Sequence, residues 1–135
     1  MLLVIGRVFR LNYFDSLHMS LLLLTADLMF TSRAQMAARS VGKQAHVAMS
    51  LHKAVEMLAA NDITTACIDL SAPGVDAAAT LTALREASRI QPLRTIAYAP
   101  HVHEAKLAAA QAAGYDAVLT RGQFDRSLVE IAASS

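Results

Sequence analysis

The run Cys67-Ile68-Asp69-Leu70-Ser71-Ala72-Pro73-Gly74-Val75-Asp76 holds the strongest chemical signal in the chain. It reads as an apolar strand ending on a carboxylate, then a Pro-Gly turn, then an aspartate suited to cap the next helix. In an open parallel sheet, ligands bind and chemistry occurs at the carboxyl edge, so Asp69 is placed to act there. Other reactive residue types carry less. His101-x-His103, with His52 elsewhere, invites a metal, but residues two apart on a helix do not share a face. No Cys or carboxylate cluster has zinc-ligand spacing either. His103 reads as a solvated residue near a helix start, and His101 as a loop residue beside Asp69. Ser-His-Asp catalysis lacks its Gly-x-Ser-x-Gly elbow, and the glycine-rich loops of dinucleotide and ATP sites are absent. The single Cys67 falls mid-strand and reads as a small buried hydrophobe.

The elements that position Asp69 follow from patterning. Leu21-Leu22-Leu23-Leu24 is a continuous apolar run, as expected of a strand covered on both faces. Helical spacing over 29–41 stops at Gly42. Strand two is expected over 45–49, followed by a helix capped by Ser50 and running to about residue 60. Strand three spans 63–68 and ends at Asp69, and 75–88 is helical with Leu81 and Leu84 on one face. Pro92 precedes strand four at 93–99, and Pro100 starts a helix over about 101–113, ended by Gly114. Strand five covers 115–120, Arg121-Gly122 forms a turn, and 124–133 is the last helix. Alternating strands and helices imply an α/β domain built on a parallel sheet.

Composition agrees and narrows the partners. At 135 residues the chain makes one domain, and a 55% hydrophobic content with only 5% aromatic suits a helix-rich α/β fold. Twelve basic against eleven acidic residues provide no basic field for nucleic acid. No apolar stretch is long enough to span a bilayer. One cysteine excludes an internal disulfide and fits a reducing, cytoplasmic setting.

Five βα units with an aspartate closing strand three and Pro-Gly-x-Asp after it resemble bacterial response-regulator receiver domains. Ser40-Val41-Gly42, Ser50 with Ala54-Val55-Glu56-Met57-Leu58, and Ala113-Gly114-Tyr115-Asp116-Ala117 extend the resemblance over about residues 21–133. It implies a three-layer (βα)5 sandwich, CheY-like and flavodoxin-like, with parallel strand order 2-1-3-4-5. It also implies that Asp69 is the phosphoacceptor and that the Ser71 carbonyl completes a magnesium site. The family's acidic metal-binding pair falls on Thr25 and Ala26, with Asp27 one place further. Its strand-four hydroxyl falls on Ala99, and its strand-five lysine on Arg121.

Phosphoryl transfer to a carboxylate brings two anions together, so these departures bear on function. With Thr25 and Ala26 in the acidic positions, magnesium is expected to bind weakly if at all, through Asp69, Ser71 and a reset Asp27. Arg121 is free to hold Asp69 as an ion pair, which would mimic one fixed state of a switch. The reading is a degenerate receiver, or pseudo-receiver, that acts by protein–protein interaction and is not an enzyme. The alternative is a working phosphoacceptor in a two-component phosphorelay, with weak autophosphorylation and self-dephosphorylation. Partners implied are a histidine kinase, an output protein, or a second copy through the last two helices, with neither nucleic acid nor membrane.

Lys106-Leu107-Ala108-Ala109-Ala110-Gln111-Ala112-Ala113 places small residues on every side of a helix. Either this allows close helix approach, in which case arginine at 109 or 110 weakens self-association, or alanine is simply the best helix former. Residues 1–20 are expected to lie outside the receiver-like domain of 21–135. They form either an extension from a misplaced start, the favoured reading, or an N-terminal arm. With no output domain after residue 135, function is expected to pass through another protein, the alternative being that the chain is a fragment of a longer regulator.

Overall fold

The computed structural model describes residues 20–135; the expected extension lies outside them except for Ser20, which opens the first strand. Five strands and five helices alternate: β1 (Ser20–Leu24), α1 (Leu28–Ser40), β2 (Gln44–Ala48), α2 (Leu51–Ala60), β3 (Ile63–Asp69), α3 (Ala77–Ala87), β4 (Arg94–Ala99), α4 (Glu104–Ala113), β5 (Ala117–Thr120) and α5 (Arg121–Ala133). The strands form one parallel sheet in the order β2-β1-β3-β4-β5, with Leu24 level with Ile68 and Asp69 level with Tyr98.

Side chains alternate across the strands, and each face takes its own helices. Leu22, Leu24, Ala66, Ile68, Ala97 and Ala99 point to the face covered by α2, α3 and α4, where Leu58, Leu81 and Leu84 complete the core. Leu23, Cys67, Ile96 and Tyr98 point to the other face, against Phe30 and Ala34 of α1 and Phe124, Leu128 and Ile131 of α5. Cys67 is fully buried, and burial pushes its thiol up to about 12, which leaves it unreactive.

The loops at the carboxyl edge are set by caps. Asp27, Ser50, Asp76 and Thr120 each accept a backbone N–H in the first turn of the helix they open. Gly74 turns the loop after Asp69 at φ +78, a region that L side chains rarely adopt.

Three sequence expectations are corrected. Arg121-Gly122 is not a turn: Thr120 and Gln123 form a reciprocal capping box, so α5 starts at Arg121 itself. Helix α4 starts at Glu104 rather than about 101, because the Pro100 carbonyl takes the His103 N–H at 2.9 Å and spends three residues in a turn. Strand five begins at Ala117, after Tyr115 and Asp116 have turned aside. The Tyr115 hydroxyl donates to the Ala77 carbonyl, and Asp116 accepts from the Thr95 N–H and hydroxyl. The remaining boundaries shift by one or two residues.

His46, half-buried on edge strand β2, has its pKa held below the ordinary 6.5 by burial. The unfolded chain therefore binds this proton first as pH falls, and stability is expected to decline below about 6.5. His46→Gln should flatten that part of a urea-midpoint profile against pH; an unchanged slope would exclude His46 as its source.

Candidate functional site

Asp69 closes β3 at the carboxyl edge and is only 9% exposed. A buried carboxylate needs hydrogen-bond donors, and two neighbouring loops supply them. The Thr25 hydroxyl donates to Asp69 Oδ2 at 2.8 Å, and the Ser71 N–H donates to Oδ1 at 2.9 Å. Thr25 is itself fully buried at the end of β1, where its N–H donates to the Ala48 carbonyl and its Oγ1 accepts the Asp27 N–H. Ala26 is exposed.

Asp27 is engaged elsewhere. Its Oδ1 accepts the Met29 N–H at 3.0 Å as the cap of α1, and its Oδ2 pairs with Arg121. Desolvation pushes its carboxyl up, but the Met29 N–H and the Arg121 charge outweigh that and hold it below its usual value. The expected Arg121–Asp69 pair is replaced by this one. With α5 beginning at Arg121, the guanidinium reaches across to α1, where it also sits 4.6 Å from the centroid of the Phe30 ring.

Ala99 is fully buried and points to the opposite face of the sheet, toward α2–α4. Level with Asp69 on the neighbouring strand, Tyr98 belongs to an aromatic cluster that no sequence pattern marks. Tyr98 and Phe124 stack at 4.0 Å with 5° between their planes, and Phe30 tilts against both. The Tyr98 hydroxyl is buried near Thr25 but makes no hydrogen bond. Burial and then the Asp69 charge push its phenol upward. An apolar residue at every second strand position was the only signal, and it does not say which residue lies under the carboxylate.

His103 was expected to be solvated, yet it is half-buried and its Nδ1 lies 3.3 Å from Ser71 Oγ, joining the loops after β3 and β4. These residues stand 32 apart, and no local pattern links them. His101 is exposed beside the site as expected, and His52 pairs with Glu56 along α2. Among the described residues no three His, Cys, Asp or Glu side chains gather as a metal site, and no helix is long and apolar enough to cross a membrane.

No family model matches the sequence, and no curated protein matches it. Solved structures do. The receiver domain of the TMAO respiratory system response regulator TorR matches with a TM-score of 0.71 at 18% identity, over 87% of this chain and 94% of that one. The receiver domain of NtrX from Brucella abortus matches at 0.70 and 13% identity, covering 86% and 99%. The receiver domain of sensor histidine kinase PA1611 from Pseudomonas aeruginosa PAO1, with a magnesium ion coordinated in its active-site cleft, matches at 0.66 and 16% identity, covering 86% and 98%. The fold is the CheY-like, flavodoxin-like one, with strand order 2-1-3-4-5.

Proposed function

We propose that this chain, which has the fold of response-regulator receiver domains, is a receiver-like signalling module that works mainly by docking other proteins, with Asp69 kept out of phosphorylation. The observation that carries this reading is the state of Asp69. Both of its oxygens already accept hydrogen bonds, from Thr25 and Ser71, while Arg121, the cationic candidate at the end of β5, is committed to Asp27.

The donor set does not fit a magnesium ion. Magnesium wants near-octahedral oxygen ligation, commonly with one or two carboxylates beside its waters. Here Thr25 and Ala26 bring no charge, and Asp27 spends one oxygen on the helix cap and the other on Arg121. Ala99 carries no hydroxyl to reach a phosphoryl group. The Arg121–Asp27 pair ties the start of α5 to the start of α1 and supports a single resting conformation.

The second reading, a phosphoacceptor working in a phosphorelay, is favoured by one observation: Asp69 sits at the carboxyl end of the central strand. Intact mass after incubation with Mg²⁺ and a small acyl-phosphate donor separates the two, with Asp69→Asn as control. The docking reading expects no adduct on folded protein. An adduct that needs both Mg²⁺ and Asp69 would install the phosphoacceptor reading in its place.

The partners this reading implies are a kinase, an output protein or a second copy, in the cytoplasm. The small-residue helix α4 is one surface for them, with a correction. Ala110 is fully buried in the core, so arginine there would test folding rather than docking. Ala109 is exposed. If α4 mediates self-association, Ala109→Arg is expected to shift a concentration-dependent mass toward monomer without changing the melting temperature. An unaltered mass distribution would remove α4 from consideration.

A further inference from the structure

Strand β5 closes one end of the sheet and is paired on one side only, with β4. An open edge is a template for a further strand. All four β5 residues are half-buried, whereas all five of β1 are buried. On the α5 side of this edge runs a groove of ≈ 630 Å³, with Ile96, Ala117, Leu119 and Ile131 as its apolar lining. Arg94 stands at the end where β4 begins, and Glu130 of α5 is exposed at the rim. Neither makes an ion pair among the described residues.

A segment that adds to a sheet edge gains main-chain hydrogen bonds and seats alternate side chains in pockets. The chain itself holds such a segment. Phe9-Arg10-Leu11-Asn12-Tyr13 alternates apolar and polar residues, the period of a half-buried strand. It precedes Ser20, which opens β1 at the same edge of the sheet where Arg94 opens β4. A strand added outside β5 lies four strand spacings from β1, roughly 19 Å. The seven residue steps from Tyr13 to Ser20 reach up to roughly 24 Å, enough to make that crossing. Leaving toward that edge, the segment runs antiparallel to β5. Asp15 then comes to the Arg94 end of the groove, where the opposite charges fix the register.

We propose that residues 9–15 of this chain add to the open edge of β5 as a sixth, antiparallel strand. Phe9, Leu11 and Tyr13 seat in the groove beside α5, and Arg10 and Asn12 face the other side of the sheet. Residues 1–19 are thus an N-terminal arm rather than the product of a misplaced start. Seated there, the arm caps the edge, and any partner of β5 and α5 must displace it. The contact does not depend on the state of Asp69.

The test compares amide spectra and amide exchange of the full chain with those of Leu11→Asp and Asn12→Asp. Leu11→Asp is expected to move the Ala117, Leu119 and Ser134 signals and leave those of α2 in place. It should also speed exchange at the β5 edge by about tenfold or more, as an added strand is lost. Asn12→Asp, on the opposite side of the added strand, should leave both nearly unchanged. The two substitutions lie outside the folded domain of residues 20–135, so neither reads as a failure to fold. Unmoved β5 and α5 signals in Leu11→Asp overturn the proposal, as do shifts gathered on edge strand β2 instead. Equal effects of the two substitutions overturn the added strand. Groove signals of the unsubstituted chain that move on dilution also overturn it, because the segment would then come from a second copy.

Discussion

Thr25→Asp combined with Ala26→Asp is expected to raise Mg²⁺ affinity by roughly two orders of magnitude, since ligand charge count sets affinity at oxygen sites. Ala26 is exposed at the carboxyl edge, and a carboxylate there can turn toward a metal held on Asp69. Thr25 is different. It is fully buried on Asp69, and aspartate there would exchange a donated hydrogen bond for a second negative charge. Without metal, two touching carboxylates cannot both ionise cheaply. The variant should therefore lose about 1–3 kcal/mol of stability when metal-free, as for a broken buried hydrogen bond, and recover it with Mg²⁺. Melting temperature with and without Mg²⁺ reads both effects at once. A variant that folds yet shows no metal-dependent melting would mean that the loop after β1 cannot present a carboxylate to Asp69 at all. The lost charges would then not be what keeps the metal away.

Phe124→Ala is expected to be the costliest single truncation, at about 3–5 kcal/mol. Phe124 is fully buried and is the ring on which Tyr98 stacks and against which Phe30 tilts. Removing it leaves a cavity bounded by α1, β4 and α5, where the Tyr98 hydroxyl already lacks a partner. For a domain whose total stability is of order 5–15 kcal/mol, that loss is a large share. Urea unfolding of wild type and variant gives the difference directly. A change below about 1.5 kcal/mol, the range of volume-conserving swaps, would mean that the neighbouring rings close the gap. Arg121 would feel the same substitution, since its guanidinium rests over the Phe30 ring.

Much of the scaffold was legible because its signals are local. A four-leucine strand, a serine cap at 50, an aspartate cap at 76 and glycines at 42 and 114 mark ends without reference to the rest of the chain. The start of α5 was misread for a local reason too. Gly122 looks like a breaker, yet Thr120-x-x-Gln123 is a capping box, and satisfying two orphan donors outweighs one glycine. Helix α4 hid its buried side because alanines on every face give no hydrophobic contrast, so Ala109 and Ala110 could not be told apart. Asp69 was visible from its strand and turn. What holds it was not: Thr25 reaches it from 44 residues away, and the choice of Arg121 between Asp69 and Asp27 depends on how α5 enters. Charge type can be read from a sequence, but pairing across 94 residues needs the geometry.

The Tyr98–Phe124 stack also makes the site optically addressable. The chain has no tryptophan and three tyrosines, so little else competes in the near ultraviolet. Rings locked in a rigid, asymmetric setting give near-ultraviolet circular dichroism, which vanishes when packing loosens even while helices persist. Tyr98 meets that condition on the strand beside Asp69, and Tyr115 is anchored through its hydroxyl at the start of α3. The native tyrosine spectrum is thus a label-free gauge of packing beside Asp69 and at the start of α3 together, and Tyr115→Phe leaves the Tyr98 part.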